Sequence, residues 1–132
     1  MKNFYKILIS LLIFPFSINA SQVYYCVEEA KVGFQPHTNY ESANYNPDKF
    51  MVKVDFYSEE LSSESLLFNE DSRIGLGCWT SAGNGTMYCA NAVGYLFAIH
   101  PVTLKFHLSK AFLQANNQSD DVTVAHGQCE KF

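Results

Sequence analysis

Arginine is almost absent from this chain: among 132 residues only Arg73 carries a guanidinium. Nine basic residues stand against thirteen acidic ones, and no basic run occurs. Phosphate backbones are held by clustered Lys and Arg, so nucleic acid and anionic lipid are not expected partners. Long apolar runs are missing too. The stretch from Ile7 to Phe16 is uncharged, but it reaches about half the 20 residues that a membrane-crossing helix needs, and Pro15 interrupts its end. No two of the four cysteines are close enough to form the Cys-x2–4-Cys pairs of zinc sites. A nucleophile elbow of the Gly-x-Ser-x-Gly type is lacking, as is an Asp-x-Asp-x-Asp-Gly calcium loop. There is no internal repeat and no low-complexity tract. No cofactor is expected.

What is present begins with an export signature. Lys2 and Lys6 precede the apolar stretch, and Ser17-Ile18-Asn19-Ala20 closes it with a small residue. That order predicts a signal peptide over 1–20, cleaved after Ala20, and a single domain over 21–132. No cysteine stands at the cleavage point, so a lipid anchor is not expected, and no stable membrane anchor remains after cleavage. Residues 21–132 hold seven basic and thirteen acidic side chains, a formal net charge of −6. They also hold eight Phe, seven Tyr and Trp79, enough large apolar side chains for a core.

Cys26, Cys78, Cys89 and Cys129 form an even set, which in an exported chain predicts disulfides. The rival is a metal site using His126-Gly127-Gln128-Cys129, which spacing and compartment disfavour. The segment from Cys78 to Cys89 has two β-prone arms about a Gly-Asn-Gly turn. A two-residue Gly83-Asn84 loop places Cys78 opposite Cys89, at a Cα spacing of about 4.5 Å that a disulfide can bridge. An Asn84-Gly85 loop has better type I′ chemistry but would set Cys89 opposite Thr80. The covalent bond is expected to win. The other pair, Cys26 and Cys129, then joins the first and last strands.

Strands are expected at Val23–Val27, Phe50–Tyr57, Leu66–Phe68, Ile74–Thr80, the second arm of the Cys78–Cys89 hairpin, Tyr95–Ile99, Leu104–Leu108 and Val122–His126. Phe50, Val52, Val54 and Phe56 share one face, with Lys53 and Asp55 on the other, as in a half-buried antiparallel strand. Residues 35–49 read as a polar loop or loosely attached ribbon, and 58–65 as an acidic, serine-rich connection. Residues 109–114 prolong a strand with a bulge or turn helical, and 116–121 form a loop. The fold class is all-β or β-dominated: a small antiparallel barrel or sandwich of seven to eight strands stapled by two disulfides.

The frame Tyr24-Tyr25-Cys26, Val32-Gly33-Phe34, Met87-Tyr88-Cys89-Ala90-Asn91 with Gly94, Thr103-Leu104-Lys105-Phe106 and the terminal Cys129-Glu130-Lys131-Phe132 resembles small uncharacterised exported proteins of marine Gram-negative bacteria. That resemblance implies a bacterial periplasmic setting and no site residues. Tyr24-x-Cys26, the late Cys129 and Gly85-Thr86-Met87-Tyr88 also resemble periplasmic inhibitors of c-type lysozyme. Those are eight-stranded barrels with a Ser-Gly-x-x-Tyr inhibitory loop. Asn84 stands where that motif has serine, and the lysine-containing loop of that family has no counterpart. The resemblance implies partner contact at Asn84 and Tyr88.

His37, His100, His107 and His126 are the residues a hydrolytic or metal site would draw on. His100 before Pro101 fits a turn, and His107 alternates onto the polar face with Lys105 and Ser109. Acidic pairs occur at Glu28-Glu29, Glu59-Glu60, Glu70-Asp71 and Asp120-Asp121 and read as solvated loop carboxylates. No catalytic or metal-binding residue is expected. Asn84-Gly85-Thr86 and Asn117-Gln118-Ser119 match the glycosylation sequon, which carries no meaning in a bacterial periplasm. Tyr40, Tyr45 and Trp79 are the aromatics expected to meet a partner. The functional expectation is a secreted or periplasmic, non-enzymatic binding or inhibitor-like module acting on a periplasmic or extracellular protein. The alternative is a small secreted hydrolase with a His–carboxylate site.

The exported chain is expected to start at Ser21 with no free thiol. Intact mass under non-reducing conditions measures both. Retention of residues 1–20, or alkylation of any cysteine before reduction, contradicts the expectation.

Overall fold

The alternation that marks Phe50–Tyr57 as half-buried is realised in strand β3 (Lys49–Asp55), where Phe50, Val52 and Val54 are buried between exposed Lys49, Met51 and Lys53. The structure, a computed structural model, describes residues 21–35, 39, 41–63, 77–92, 94–111 and 122–132. The segments expected as signal peptide (1–20), strand (66–68), turn (69–72) and loop (116–121) lie outside the described residues, as do 74–76 and 112–114.

The other strands are β1 (Gln22–Gln35), β2 (Glu41–Asn44), β4 (Glu60–Ser62), β5 (Gly77–Thr80), β6 (Met87–Ala90), β7 (Tyr95–Ile99), β8 (Lys105–Lys110) and β9 (Val122–Lys131). No helix occurs among the described residues. The strands run in the order β4-β3-β1-β9-β8-β7-β6-β5, all antiparallel, with β2 laid beside the second half of β1. This eight-strand path curls into a nearly closed antiparallel barrel. Among the described residues, β4 and β5 are its two unjoined edges.

Both disulfides sit in register. Cys26 lies opposite Cys129 on β1 and β9, and Cys78 opposite Cys89 on β5 and β6, each pair with Cα atoms 4.0 Å apart. This is the close cross-strand spacing that two half-cystines can span. The first and last strands are neighbours as expected, but at the centre of the sheet rather than across its closure. Bonds of this kind form and persist in an oxidising compartment.

The interior is aromatic. Phe50 meets Phe97 and Phe106 edge-on, with centroids 6.3 and 5.3 Å away, and Phe97 stacks on Phe106 at 5.7 Å. Met87, Ile99, Val52 and Val54 fill the space around them. Burying each such side chain contributes about 1.5–3 kcal/mol. Gly127 makes this packing possible: a Cβ there would stand 2.8 Å from the Phe106 ring and 2.0 Å from the Val27 carbonyl oxygen.

Three hairpins use one loop design. In the loops 56–59, 82–85 and 101–104, the fourth residue is left-handed: Glu59 at φ 55°, Gly85 at 72° and Leu104 at 55°. The residue before each loop accepts loop N–H groups through its side chain. Asp55 Oδ1 takes Tyr57 and Ser58, His100 Nδ1 takes Val102 and Thr103, and Ser81 Oγ takes Gly83. The Ser58 and Tyr57 amides hold the Asp55 carboxyl below its usual range. Its contribution to stability is therefore present at neutral pH and lost as pH falls through that lowered value.

The hairpin result corrects the expected two-residue Gly83-Asn84 turn. The cysteine register stands, but the loop has four residues, because the Ser81 carbonyl accepts Gly85 N–H in a helical turn. One further correction concerns a segment read as a connection: residues 60–62 are β4. Of the two readings of 35–49, the ribbon is the nearer, since this segment contains β2, paired with β1, and the start of β3. β1 and β9 also extend well beyond the expected limits.

Closing the 103-residue separation of Cys26 and Cys129 should contribute about 4–5 kcal/mol, against about 3 for the 11-residue separation of Cys78 and Cys89. Replacing Cys26 and Cys129 by alanine is expected to lower Tm about 5–10 °C further than replacing Cys78 and Cys89. Calorimetry of the two double variants tests the order.

Candidate binding surface

The hairpin β5–β6 carries an aromatic pair at its surface, an exposed Trp79 and a half-buried Tyr88. Trp79 and Tyr88 lie directly opposite each other on its outer face. Their rings stack with centroids 5.8 Å apart and planes within 16°. Trp79 is 48 % exposed. One residue inward, the Cys78–Cys89 bridge locks the strands that hold the two rings. The rings are thus presented rigidly, and little side-chain freedom remains to be lost on binding. Beyond Tyr88 the same row of the sheet runs through Ala98, His107 and His126. Ala98, only 6 % exposed, forms a low step between Tyr88 and the imidazoles.

The expected contact residues do not all converge. Trp79, Tyr88 and Asn84 share one hairpin. Asn84 is exposed, but its Oδ1 accepts Thr86 N–H at 3.0 Å, so it serves the loop first. Tyr40 lies outside the described residues. Tyr45 is not an exposed loop aromatic: its N–H donates to the Lys31 carbonyl at 3.0 Å, and its hydroxyl is shut off from solvent. The backbone bond continues the β1–β2 pairing past Asn44 and draws Tyr45 onto the barrel.

The histidines separate in the same way. His37 lies outside the described residues. His100 caps a loop. His107 and His126 face each other across β8 and β9 with ring centroids 6.3 Å apart, and His126 Nδ1 stands 3.6 Å from Glu29 Oε2. Both members of that His–carboxylate pair are more than half exposed on the outer face. No cluster of three metal-ligating side chains occurs among the described residues.

The residues missed from the sequence are charged and inside. Glu28 was read with Glu29 as a solvated loop pair, yet Glu28 is 3 % exposed on β1. A bulge between Glu28 and Ala30 shifts the inward phase of β1 from Tyr24, Cys26 and Glu28 to Lys31 and Gly33. The Glu28 carboxylate accepts Asp48 N–H at 2.8 Å and lies 3.4 Å from the Lys31 ammonium. Lys31 in turn pairs with Asp48 at 2.5 Å. Burial works against the Lys31 charge, but the Asp48 hydrogen bond and the Glu28 and Asp48 charges outweigh it and raise its pKa. Lys110 sits near this cluster, its ammonium 5.7 Å from the centre of the Tyr95 ring. Burial, helped by the Lys31 charge, lowers the Lys110 pKa. The cluster ties the segment leading into β3 to the bulge in β1, which is a structural task.

The seam between β4 and β5 holds a cleft of about 280 Å³, with Lys53, Asp55, Glu59, Glu60, Leu61 and Cys78 on its walls. Ser21 borders it. Glu59 reaches across to accept Thr80 N–H at 2.8 Å.

No protein-family model matches the chain, and no curated protein or solved structure matches it either. The reading of its surface therefore stands on its own geometry.

Lys31→Met should strand the buried Glu28 carboxylate and lower stability by about 3–5 kcal/mol, measured by urea unfolding. The exposed Lys53→Met should change it by less than about 0.5 kcal/mol. Adding Glu28→Gln to Lys31→Met should recover part of the loss.

Proposed function

We propose that the chain is a non-enzymatic binding module of the inhibitor type, working in the periplasm or secreted, and that the stapled hairpin β5–β6 is its contact surface. The observation that carries this reading is the Trp79–Tyr88 stack at the surface of strands locked by a disulfide. Large aromatic side chains held rigidly at a surface are the usual anchors of protein interfaces. Two disulfides support folding in an oxidising compartment. The partner expected is another periplasmic or extracellular protein, in keeping with the likeness of the Asn84–Tyr88 segment to inhibitory loops.

The hydrolase alternative has one observation in its favour, the His126–Glu29 approach. Its exposure on the outer face supplies neither a cleft nor the desolvation that tunes an acid–base pair. Hydrolytic turnover abolished by His126→Ala would favour that alternative.

Trp79→Ala and Tyr88→Ala are expected to weaken binding to an isolated partner at least tenfold while leaving Tm within a few degrees. Titration calorimetry with the partner, identified by capture on the immobilised mature chain, measures this. Affinities equal to the parent chain would remove the hairpin as the contact surface.

A further inference from the structure

Along the eight-strand path each described strand pairs with the next, whereas β4 and β5 at its two ends do not pair with each other, and that gap has the features of a receiving edge. In strand β5, Ser81 N–H donates to Thr86 within the hairpin, so the alternation of an antiparallel ladder turns the peptide groups of Thr80 and Cys78 away from β6. They point into the seam. Thr80 N–H is met there by a side chain, the Glu59 carboxylate, where a neighbouring strand would present a carbonyl. No backbone pairing joins β4 to β5 among the described residues. An exposed sheet edge of this kind is a template for an added strand, and a charged side chain laid across it is a common way to block uncontrolled pairing.

We propose that the seam is a docking slot for an extended, basic segment of the partner, which adds as a strand against β5 and displaces the Glu59 carboxylate from Thr80. Main-chain hydrogen bonds to Cys78 and Thr80 supply the register, as in other strand additions. The sign of the occupant follows from the walls: among the described residues Asp55, Glu59 and Glu60 line the cleft with one cation, Lys53, in a chain with thirteen acidic and nine basic residues. A lysine or arginine on the incoming strand finds carboxylates there, and an acidic segment finds repulsion. The proposal rests on the reading of the chain as a binding module. It uses a different surface from the Trp79–Tyr88 stack, so an empty slot leaves the hairpin test standing and the reverse also holds.

Trp79 is the only tryptophan in the chain and lies on β5 itself, so its emission reports occupancy of the slot. The full mature chain is titrated with a seven-residue peptide alternating Lys and Val, with a Glu/Val peptide of the same length, and with the Lys/Val peptide N-methylated at alternate amides. The Lys/Val peptide is expected to give a saturable change in Trp79 emission. N-methylation should weaken it at least tenfold, Glu60→Gln at least threefold, and the Glu/Val peptide should give no response. The distant loop variant Val102→Ser should bind like the parent chain. Circular dichroism confirms that Glu60→Gln is folded. Absence of saturation with the Lys/Val peptide overturns the proposal. So does equal binding of the N-methylated form, which would show charge attraction without strand pairing, or an unchanged affinity in Glu60→Gln.

Discussion

The pairing of β1 with β9 is the junction on which the rest of the barrel depends. To one side of it lie β3 and β4, to the other β8, β7, β6 and β5. β4 and β5 to β8 each pair with a neighbour next to them in the chain, at small entropic cost; β3 returns to β1 past the intervening β2, from Val27 opposite Lys49 to Gln22 opposite Val54. The β1–β9 ladder alone brings together residues about a hundred apart in sequence, from Tyr24 opposite Lys131 to Phe34 opposite Val122. Cys26–Cys129 ties that ladder covalently at its inner face. Gly127 narrows β9 where Phe106 must approach, and the Glu28 bulge re-aims β1 so that Lys31 can turn inward. Core, polar cluster and the first and last described strands meet at this one ladder.

The seam follows from the same arrangement. A sheet whose middle holds the first and last of the described strands has its edges at β4 and β5, segments from the middle of the chain. Those edges face one another without pairing among the described residues, and a carboxylate from Glu59 bridges the space. The stapled hairpin is one of the two edges. Its disulfide stiffens a strand that has a ladder on one side only, and the same stiffness holds the Trp79–Tyr88 stack in place. Aromatic platform and open edge are therefore two faces of one strand.

Much of this was legible in the residues, and the omissions have physical causes. Phe50, Val52 and Val54 alternate with charged neighbours, and Tyr95–Ile99 is a clean apolar run; both became strands at the expected positions. The symmetric arms about Gly83-Asn84 put Cys78 opposite Cys89, although the loop proved to be four residues long. β1 was underestimated because Glu28, Glu29 and Lys31 look like the end of a strand. Glu28 and Lys31 instead turn inward and pair with each other, and Lys31 also pairs with Asp48, 17 residues away, a contact that no local pattern announces; Glu29 stays outside near His126. β4 was hidden because Glu60-Leu61-Ser62 carries only one apolar residue. Trp79 was named as a contact from its type alone. Its stacking on Tyr88 follows from the disulfide register and could have been read from it. Tyr45 follows β2 in the irregular segment 45–48, half-buried, with its N–H bonded to the Lys31 carbonyl, a contact that its polar neighbours do not announce.

Native-state hydrogen exchange across the whole chain tests the central role of the β1–β9 ladder most directly. The amides of β1 and β9 around Cys26 and Cys129 should exchange slowest, only through global unfolding, with β4 and β5 at the fast end of the strands. Slowest exchange confined to β6–β8, with β1 and β9 opening first, would contradict the account.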